Sequence, residues 1–217
     1  MTIFILGDSH TIFFHCSYEV DENKKANPDS LIKIAWYASS EAWPVTMYTF
    51  NTTTLDLYNI ATPYYNKSAR KNIVSGDTVV FTYGWNDIAK NISKYNKNNY
   101  EEFIQNMVLK YIEKCIMYKN IFNIIPVIQC VYPNPLVLKP SMTGTNVERN
   151  IYVKFMNKCI QQECNKFKIP FFDIFDILID TNTCIKLEYL SEDKVHLDHK
   201  NKYLNKIIYE ELMKVTT

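Results

Sequence analysis

The sequence predicts an α/β fold in which helices cover both faces of a central parallel β-sheet. Short runs of β-branched and aromatic residues alternate along the chain with longer segments whose apolar residues recur at helical spacing. The short runs are apolar throughout, which is typical of strands buried on both faces. Strands that alternate with helices form right-handed β-α-β units, so we expect the strands of this sheet to run parallel.

Four runs carry the strand signal, and turn residues mark where they stop. Gly7-Asp8 ends the first run, and Gly76-Asp77 and Gly84 enclose the second. The four runs are residues 2–6, 78–83, 123–131 and 169–174. A mixed aromatic region follows the first run, and there we expect one further strand near residues 45–50.

Three segments have the apolar spacing of amphipathic helices. They are residues 100–118, 147–167 and 201–214, and the last of them is expected to close the fold. The chain has no internal repeat and no linker-like composition, so we predict a single domain over residues 1–217.

Charge and cysteine content narrow the classes of function. The chain carries 24 Lys and Arg against 23 Asp and Glu, so it lacks the positive field that nucleic-acid and anionic membrane partners require. The longest apolar stretch, residues 121–132, is broken by polar residues and is too short to cross a bilayer. We see no signal-peptide pattern, and the six cysteines form no C-x-x-C pair, so we expect a cytoplasmic or other intracellular protein with reduced cysteines.

Polar side chains suited to catalysis follow two of the strands and precede the last helix. In an open parallel sheet, ligands bind at the carboxyl ends of the strands. Gly7-Asp8-Ser9-His10 places a hydroxyl after the first strand, and Gly84-Trp85-Asn86-Asp87 places a carboxamide after the second. Asp193-Lys194-Val195-His196 precedes the closing helix. A serine, a histidine and an aspartate at separate chain positions can form a nucleophilic triad.

In this order, the three segments resemble a known set of sequence blocks. Gly7-Asp8-Ser9, Gly84-x-Asn86-Asp87 and Asp193-x-x-His196 resemble blocks I, III and V of the SGNH hydrolases, also called the GDSL esterase family. The resemblance spans nearly the whole chain. It implies a flavodoxin-like, three-layer α/β/α sandwich and ester hydrolysis through an acyl-enzyme, with no cofactor and no metal.

The resemblance also implies a role for each matched residue. Ser9 would be the nucleophile, His196 its general base and then the general acid, and Asp193 the group that orients His196. The backbone N–H of Ser9 and the side chain of Asn86 would donate hydrogen bonds to the oxyanion.

One block of the family has no counterpart in this chain. Block II is a glycine whose N–H is a third oxyanion donor, but the chain has four glycines and none lies between Gly7 and Gly76. Gly76 itself belongs to the turn that enters the second strand. Every non-proline residue has an N–H, so we expect either a donor from residues 38–66, with Asn51 or Asn59 as side-chain candidates, or no third donor.

Several of these residues also have a plain structural interpretation. Ser9 could simply cap a helix, and Trp85 could pack in the core instead of forming a substrate-binding wall. Asp198 and His199 form a rival to the Asp193 and His196 pair. The presence of all three blocks favours catalysis at Ser9 and His196.

The predicted function is hydrolysis of short-chain carboxylic esters, including carbohydrate O-acetyl esters. The predicted partner is thus a small-molecule or glycan ester, with no nucleic acid and no membrane. Two alternatives on the same fold are a glycan-binding module with little turnover and a sugar O-acyltransferase. A remote alternative is a metallophosphoesterase with Asp8, His10, Asp77 and Asn86 near its metals.

Overall fold

The described part of the chain forms a parallel sheet flanked by helices. The computed structural model describes residues 2–14, 17, 31–36, 47–52, 73–91, 99–136, 142–180 and 184–216. The strands are β1 (Ile3–Gly7), β2 (Ile32–Trp36), β3 (Thr78–Thr82), β4 (Ile125–Gln129) and β5 (Phe171–Phe172). The helices are α1 (Ile12–Phe14), α2 (Met47–Thr52), α3 (Tyr100–Phe122), α4 (Asn146–Phe167), α5 (Phe175–Leu178) and α6 (Lys202–Thr216).

The strand order places the ends of β1 and β3 side by side. The order across the sheet is β2-β1-β3-β4-β5, and every pair is parallel. Gly7 at the end of β1 is in register with Thr82 at the end of β3. The chain runs outward from β1 to β2 and returns on the other side to β3, which is the flavodoxin-like order and makes a topological switch point between β1 and β3. The predicted three-layer α/β/α fold is confirmed.

Aromatic side chains join the helices to the sheet. Phe50 of α2 stacks on Tyr83, with ring centroids 4.8 Å apart, and also contacts Phe81 of β3 and Tyr118 of α3. At β5, the ring of Phe14 from α1 lies 6.4 Å from that of Phe172. The strands β1 and β3 are buried along their whole length, as continuous apolar runs predict.

The long helix α4 begins as its sequence indicates, whereas α3 ends later than predicted. The side chain of Thr145 accepts a hydrogen bond from the Glu148 N–H, and the Glu148 carboxylate accepts one from the Thr145 N–H, so a capping box starts α4. α3 extends beyond the predicted residues 100–118 because Phe122 continues the buried stripe. The closing helix is confirmed as Lys202–Thr216.

The strand that we predicted near residues 45–50 is wrong. Met47–Thr52 is the helix α2, and Val45 and Thr46 lie outside the described residues. Met47 and Phe50 are both fully buried, and a spacing of three places them on one side of a helix, whereas a strand would send them to opposite faces. The strand missed by the sequence analysis is β2, which pairs with β1 at the edge of the sheet.

The fold also bears on two expectations from composition. No helix among the described residues has both the length and the apolar character that a membrane crossing needs. The cysteines that the structure describes are buried and free of disulfide bonds, and Cys16 lies outside the described residues. The free and buried cysteines are Cys115, Cys130, Cys159, Cys164 and Cys184.

Candidate active site

Ser9 lies just beyond the carboxyl end of β1, at the start of a short 3₁₀ turn, Ser9–Thr11. The strand approaches β3 so closely here that a Cβ on Gly7 would lie 2.2 Å from the Thr82 carbonyl oxygen. Beyond Gly7, the Asp8 N–H donates to the same carbonyl at 3.3 Å, and the Thr11 hydroxyl and N–H both donate to the Asp8 carbonyl. These bonds fix the backbone on both sides of the Ser9 hydroxyl.

His196 reaches Ser9 from the far end of the chain. Its Nε2 lies 3.0 Å from Ser9 Oγ, and its side chain is 26% exposed. The loop that carries it is a tight turn, because the Ser191 N–H donates to the His196 carbonyl and the Lys194 N–H donates to the Ser191 carbonyl. Lys194 has a left-handed φ of 56° in this turn. The turn is held by its own hydrogen bonds, so His196 has a defined position.

Asp193 is placed to orient the imidazole of His196. Its Oδ2 lies 2.5 Å from His196 Nδ1, while Oδ1 accepts hydrogen bonds from the Ser191 hydroxyl and from the backbone N–H groups of Val195 and His196. Partial burial acts to raise the pKa of Asp193, but these hydrogen bonds outweigh it and hold the pKa well below its usual value. An ionised Asp193 favours the tautomer with a proton on Nδ1, which leaves Nε2 free to accept the Ser9 proton.

Asn86 lies at the same edge of the sheet, after β3. Gly84 precedes it with φ of +117°, and a Cβ there would lie 2.7 Å from Val131, so the turn after β3 requires glycine. The Asn86 side chain is buried, and its Nδ2 donates to Asp8 Oδ2 at 3.4 Å. The contact with Asp8 brings the carboxamide beside the segment that carries Ser9.

Asp8 is a buried carboxyl group next to the candidate nucleophile. Its Oδ1 accepts the His10 backbone N–H at 3.0 Å. Burial raises the pKa of Asp8 to about 7, the His10 hydrogen bond opposes this, and the nearby charge of Asp87 adds to it. The protonation state of Asp8 therefore changes near neutral pH.

His10 is a residue of the site to which the sequence analysis gave no role in ester hydrolysis. Its ring is buried between Trp85, at 4.4 Å between ring centroids, and His196, at 4.9 Å, with Tyr132 at its edge. Burial, and then the proximity of His196, hold the pKa of His10 well below its usual value, so the ring stays neutral beside the candidate base. Its position directly after Ser9 was the one available signal.

The remaining sequence candidates make other contacts in the structure. Trp85 is 5% exposed and lies against His10. Asn51 donates to the Met107 carbonyl of α3, so its carboxamide packs on that helix. The Asp198 carboxylate accepts a hydrogen bond from the Lys200 N–H, and the His199 carbonyl accepts one from the Asn205 side chain. These hydrogen bonds lie near the start of α6.

The third oxyanion donor stays a prediction. Of residues 38–66, the structure describes only Met47–Thr52, and Asn59 lies outside the described residues. Asn51 is turned toward α3 as given above, so the expectation that remains is Asn59, a backbone N–H of the predicted range, or no third donor.

The structure separates Asp77 from the other residues of the predicted metal site. Asp77 accepts the backbone N–H groups of Thr2 and Val74 at the amino end of β3, whereas Asp8 and His10 lie at the carboxyl end of β1. Within the described ranges, no three His, Cys, Asp or Glu side chains come together in a metal-binding group.

A cleft of about 790 Å³ opens on the outer side of His196 and Asp193. Leucine side chains form much of its lining, namely Leu136, Leu187, Leu190 and Leu197. A preformed concave surface beside a histidine that contacts a serine hydroxyl is suited to holding a small substrate.

Comparison with known proteins identifies the family and supports the fold. A family model described as GDSL-like Lipase/Acylhydrolase matches residues 3–211. No curated protein matches the chain. Among solved structures, the chain is similar to a GDSL-like lipase from Bacteroides thetaiotaomicron, with a TM-score of 0.62 and 16% identity, over 98% of this chain and 88% of that one.

Two esterases share the fold at lower similarity. One is the psychrotrophic esterase EstA from Pseudoalteromonas sp., in a structure inhibited by monoethylphosphonate, with a TM-score of 0.52, 15% identity, and coverage of 98% of this chain and 97% of that one. The other is the acetyl xylan esterase AlAXEase, with a TM-score of 0.54 and 12% identity, covering 100% of both chains. At these identities, the similarity shows the fold.

Proposed function

Because the chain belongs to the GDSL-like lipase/acylhydrolase family, we propose that it hydrolyses carboxylic esters through an acyl-enzyme formed on Ser9. The observation that carries this proposal is the 3.0 Å contact between Ser9 Oγ and His196 Nε2. A serine hydroxyl is a weak nucleophile until a neighbouring base accepts its proton, and this contact places such a base within hydrogen-bond reach.

The first half of the reaction forms the acyl-enzyme. His196 Nε2 takes the proton from Ser9 Oγ as the oxygen attacks the ester carbonyl carbon, and the electron pair of the carbonyl moves onto its oxygen. When this tetrahedral intermediate collapses, the bond from carbon to the alcohol oxygen breaks. His196 gives its proton to that oxygen, so the alcohol leaves neutral.

The second half repeats these steps with water. His196 takes a proton from water as the hydroxide adds to the acyl carbon, and then returns the proton to Ser9 Oγ as the carboxylic acid leaves. Asp193 stabilises the imidazolium that forms in both halves, and its lowered pKa keeps it ionised while it does so.

Developing negative charge on the carbonyl oxygen needs hydrogen-bond donors. We assign two of them to the Ser9 backbone N–H and the Asn86 Nδ2, which come from the adjacent ends of β1 and β3. The same Asn86 Nδ2 also donates a hydrogen bond to the Asp8 carboxyl group. This contact fixes Asn86 before the substrate binds, which is what makes such donors effective.

The substrates that we propose are short-chain esters, with O-acetyl groups on carbohydrates as one candidate class. The acetyl xylan esterase that shares this fold is the support for that class. Transfer of the acyl group to a sugar hydroxyl would use the same residues and differ only in the nucleophile that resolves the acyl-enzyme.

A fluorophosphonate probe tests the proposed nucleophile directly. We expect the folded protein to be labelled at Ser9 and to release acetate from ethyl acetate or acetylated xylan. Ser9→Ala should abolish both, and His196→Ala should abolish turnover, while circular dichroism and unfolding temperature stay close to those of the native chain. His199→Ala is the matched control and should keep activity. Absence of labelling together with absence of acetate release would refute an esterase function.

A further inference from the structure

The leucine-lined cleft beside His196 has a preformed shape. The Leu190 and Leu197 backbones pair as an antiparallel bridge, and the Asp198 N–H donates to the Tyr189 carbonyl at 2.8 Å. Asn201 Nδ2 donates to the Glu188 carbonyl, which ties the 3₁₀ turn Leu187–Tyr189 to the start of α6. A cleft with walls tied in this way can bind a ligand without first ordering its own loops.

Two leucines at the mouth of the cleft are unusually exposed. Leu136 is 56% exposed and Leu187 is 61% exposed, while Leu197 forms a buried floor. Their two segments are joined, because the Ile185 N–H donates to the Asn134 carbonyl. Exposed leucines that line one concave surface indicate an apolar ligand, because burial of their surface would stabilise binding.

The charges around the cleft are mixed. Its lining contains three acidic residues, Glu192, Asp193 and Asp198, and two basic residues, Lys194 and Lys200. A wall that carries both signs in nearly equal number does not select a strongly charged ligand. The apolar surface is therefore the feature that distinguishes one neutral ligand from another.

The position of the cleft relative to His196 decides which half of the ester it faces. His196 and Asp193 line it, whereas Ser9 and Asn86 do not. In the proposed mechanism, His196 Nε2 donates its proton to the leaving alcohol oxygen, so the group attached to that oxygen must lie on the histidine side. The acyl group lies instead near Asn86, where its carbonyl oxygen is stabilised.

We propose that this cleft binds the alcohol half of the substrate and selects alcohols with an apolar chain or ring. The proposal rests on the esterase function proposed above and, among its candidate substrates, favours esters of apolar alcohols over carbohydrate O-acetyl esters. Leu136 and Leu187 are then specificity-determining residues, since they contact the departing alcohol while taking no part in proton transfer.

A series of alkyl acetates tests this selection, with the acyl group held constant. Complete burial of a methylene group corresponds to about a four-fold gain in affinity, and half burial to about two-fold. From ethyl to hexyl acetate, kcat/KM should therefore rise at least about ten-fold. In the complementary series from ethyl acetate to ethyl hexanoate, kcat/KM should rise much less. A flat alcohol series, a steeper acyl series, or a preference for acetylated xylose over hexyl acetate would overturn the proposal.

Matched variants locate the effect in the cleft. Leu187→Ser and Leu136→Ser should flatten the alcohol series, because they should lower kcat/KM several-fold more for hexyl acetate than for ethyl acetate. Ile121→Ser is the control, because Ile121 is 59% exposed near the end of α3, which leads into the amino end of β4, and should leave the series steep. An unchanged slope in both leucine variants would refute the cleft as the binding site.

The test separates the two proposals. Labelling of Ser9 by a fluorophosphonate together with a flat alcohol series would overturn the cleft proposal and leave the esterase function standing. No labelling and no hydrolysis of any ester would overturn both.

Discussion

His196 Nε2 lies 3.0 Å from Ser9 Oγ, although 187 positions separate the two residues in the chain. Ser9 is held by the end of β1, and His196 is held by a turn whose hydrogen bonds are internal to residues 191–196. The contact therefore depends on how this turn packs against the sheet edge, where His10 lies under the His196 ring. Ser9 and His196 lie on separate elements, and the packing of those elements at the sheet edge brings them together.

Asn86→Ala should lower kcat by about 10²–10³-fold with little change in KM, because removal of one oxyanion donor acts mainly on the transition state. Steady-state kinetics on a short-chain ester measure this change. Asn51→Ala is the control, since the Asn51 carboxamide donates to Met107 on α3 and should affect kcat by no more than a few-fold. Equal losses in the two variants would contradict the assignment of Asn86.

Asp193→Asn should change how the free energy of unfolding depends on pH. The pKa of Asp193 in the folded protein lies below its unfolded value of about 3.9, so its contribution to stability is complete above about pH 4 and is lost as pH falls further. The difference in unfolding free energy between the native chain and the variant should thus be larger at pH 7 than at pH 3. Urea unfolding at the two pH values measures it.

Glu192→Gln is the control for Asp193, since it also removes one negative charge from the same turn and Glu192 is exposed. The difference in unfolding free energy between Glu192→Gln and the native chain should vary less between pH 7 and pH 3. If the Asp193 variant showed the same difference at both pH values, its hydrogen bonds would not act on ionisation as described.

Several parts of the fold and site were predictable because local sequence determines them. The strands β1 and β3 are buried on both faces, so their apolar runs carry no competing helical period. Parallel strands place their carboxyl ends at one edge, which predicts that Ser9 and Asn86 lie near each other. The Asp193 and His196 pair depends on a three-residue spacing that a tight turn satisfies.

Other parts depend on contacts between distant residues. Met47 and Phe50 have a sequence that suits either a strand or a helix, and the stacking of Phe50 on Tyr83 favours the helix. His10 resembles an ordinary surface histidine in the sequence, and its burial is set by Trp85 and Tyr132, which lie far along the chain. Local patterns contain no information on such packing.

Asp8→Asn should alter the pH dependence of stability in the opposite direction to Asp193. The pKa of Asp8 is raised to about 7 by burial, so between about pH 4 and pH 7 the folded state holds a proton that the unfolded state has lost. The native chain should therefore lose stability as pH rises through this window. The variant lacks the titrating group and should lose less, with a divergence of up to about 4 kcal/mol across the window.

Urea unfolding of the Asp8 variant at pH 4, 5.5 and 7.5 measures this divergence. Parallel curves for the native chain and Asp8→Asn would show that Asp8 is ionised throughout. Activity should fall as well, because the new amide can turn its own N–H groups toward Asn86 Nδ2, where a hydrogen-bond acceptor is needed.

Gly7→Ala should destabilise the fold more than a comparable change at Gly76. A Cβ on Gly7 would lie 2.2 Å from the Thr82 carbonyl oxygen, a backbone atom that can move only by separating β1 from β3, so we expect a loss of at least about 3 kcal/mol. Gly76 has φ of +86° but nothing within 4 Å of its Cβ position, so Gly76→Ala should cost only the backbone strain of about 1–2 kcal/mol. Urea unfolding of the two variants compares their free energies of unfolding.

Because Ser9 follows Gly7 by two residues, Gly7→Ala should also reduce turnover in the fraction that stays folded, whereas Gly76→Ala should not. Equal destabilisation by the two substitutions would mean that β1 and β3 can separate locally without loss, and that the close approach of these strands does not position Ser9.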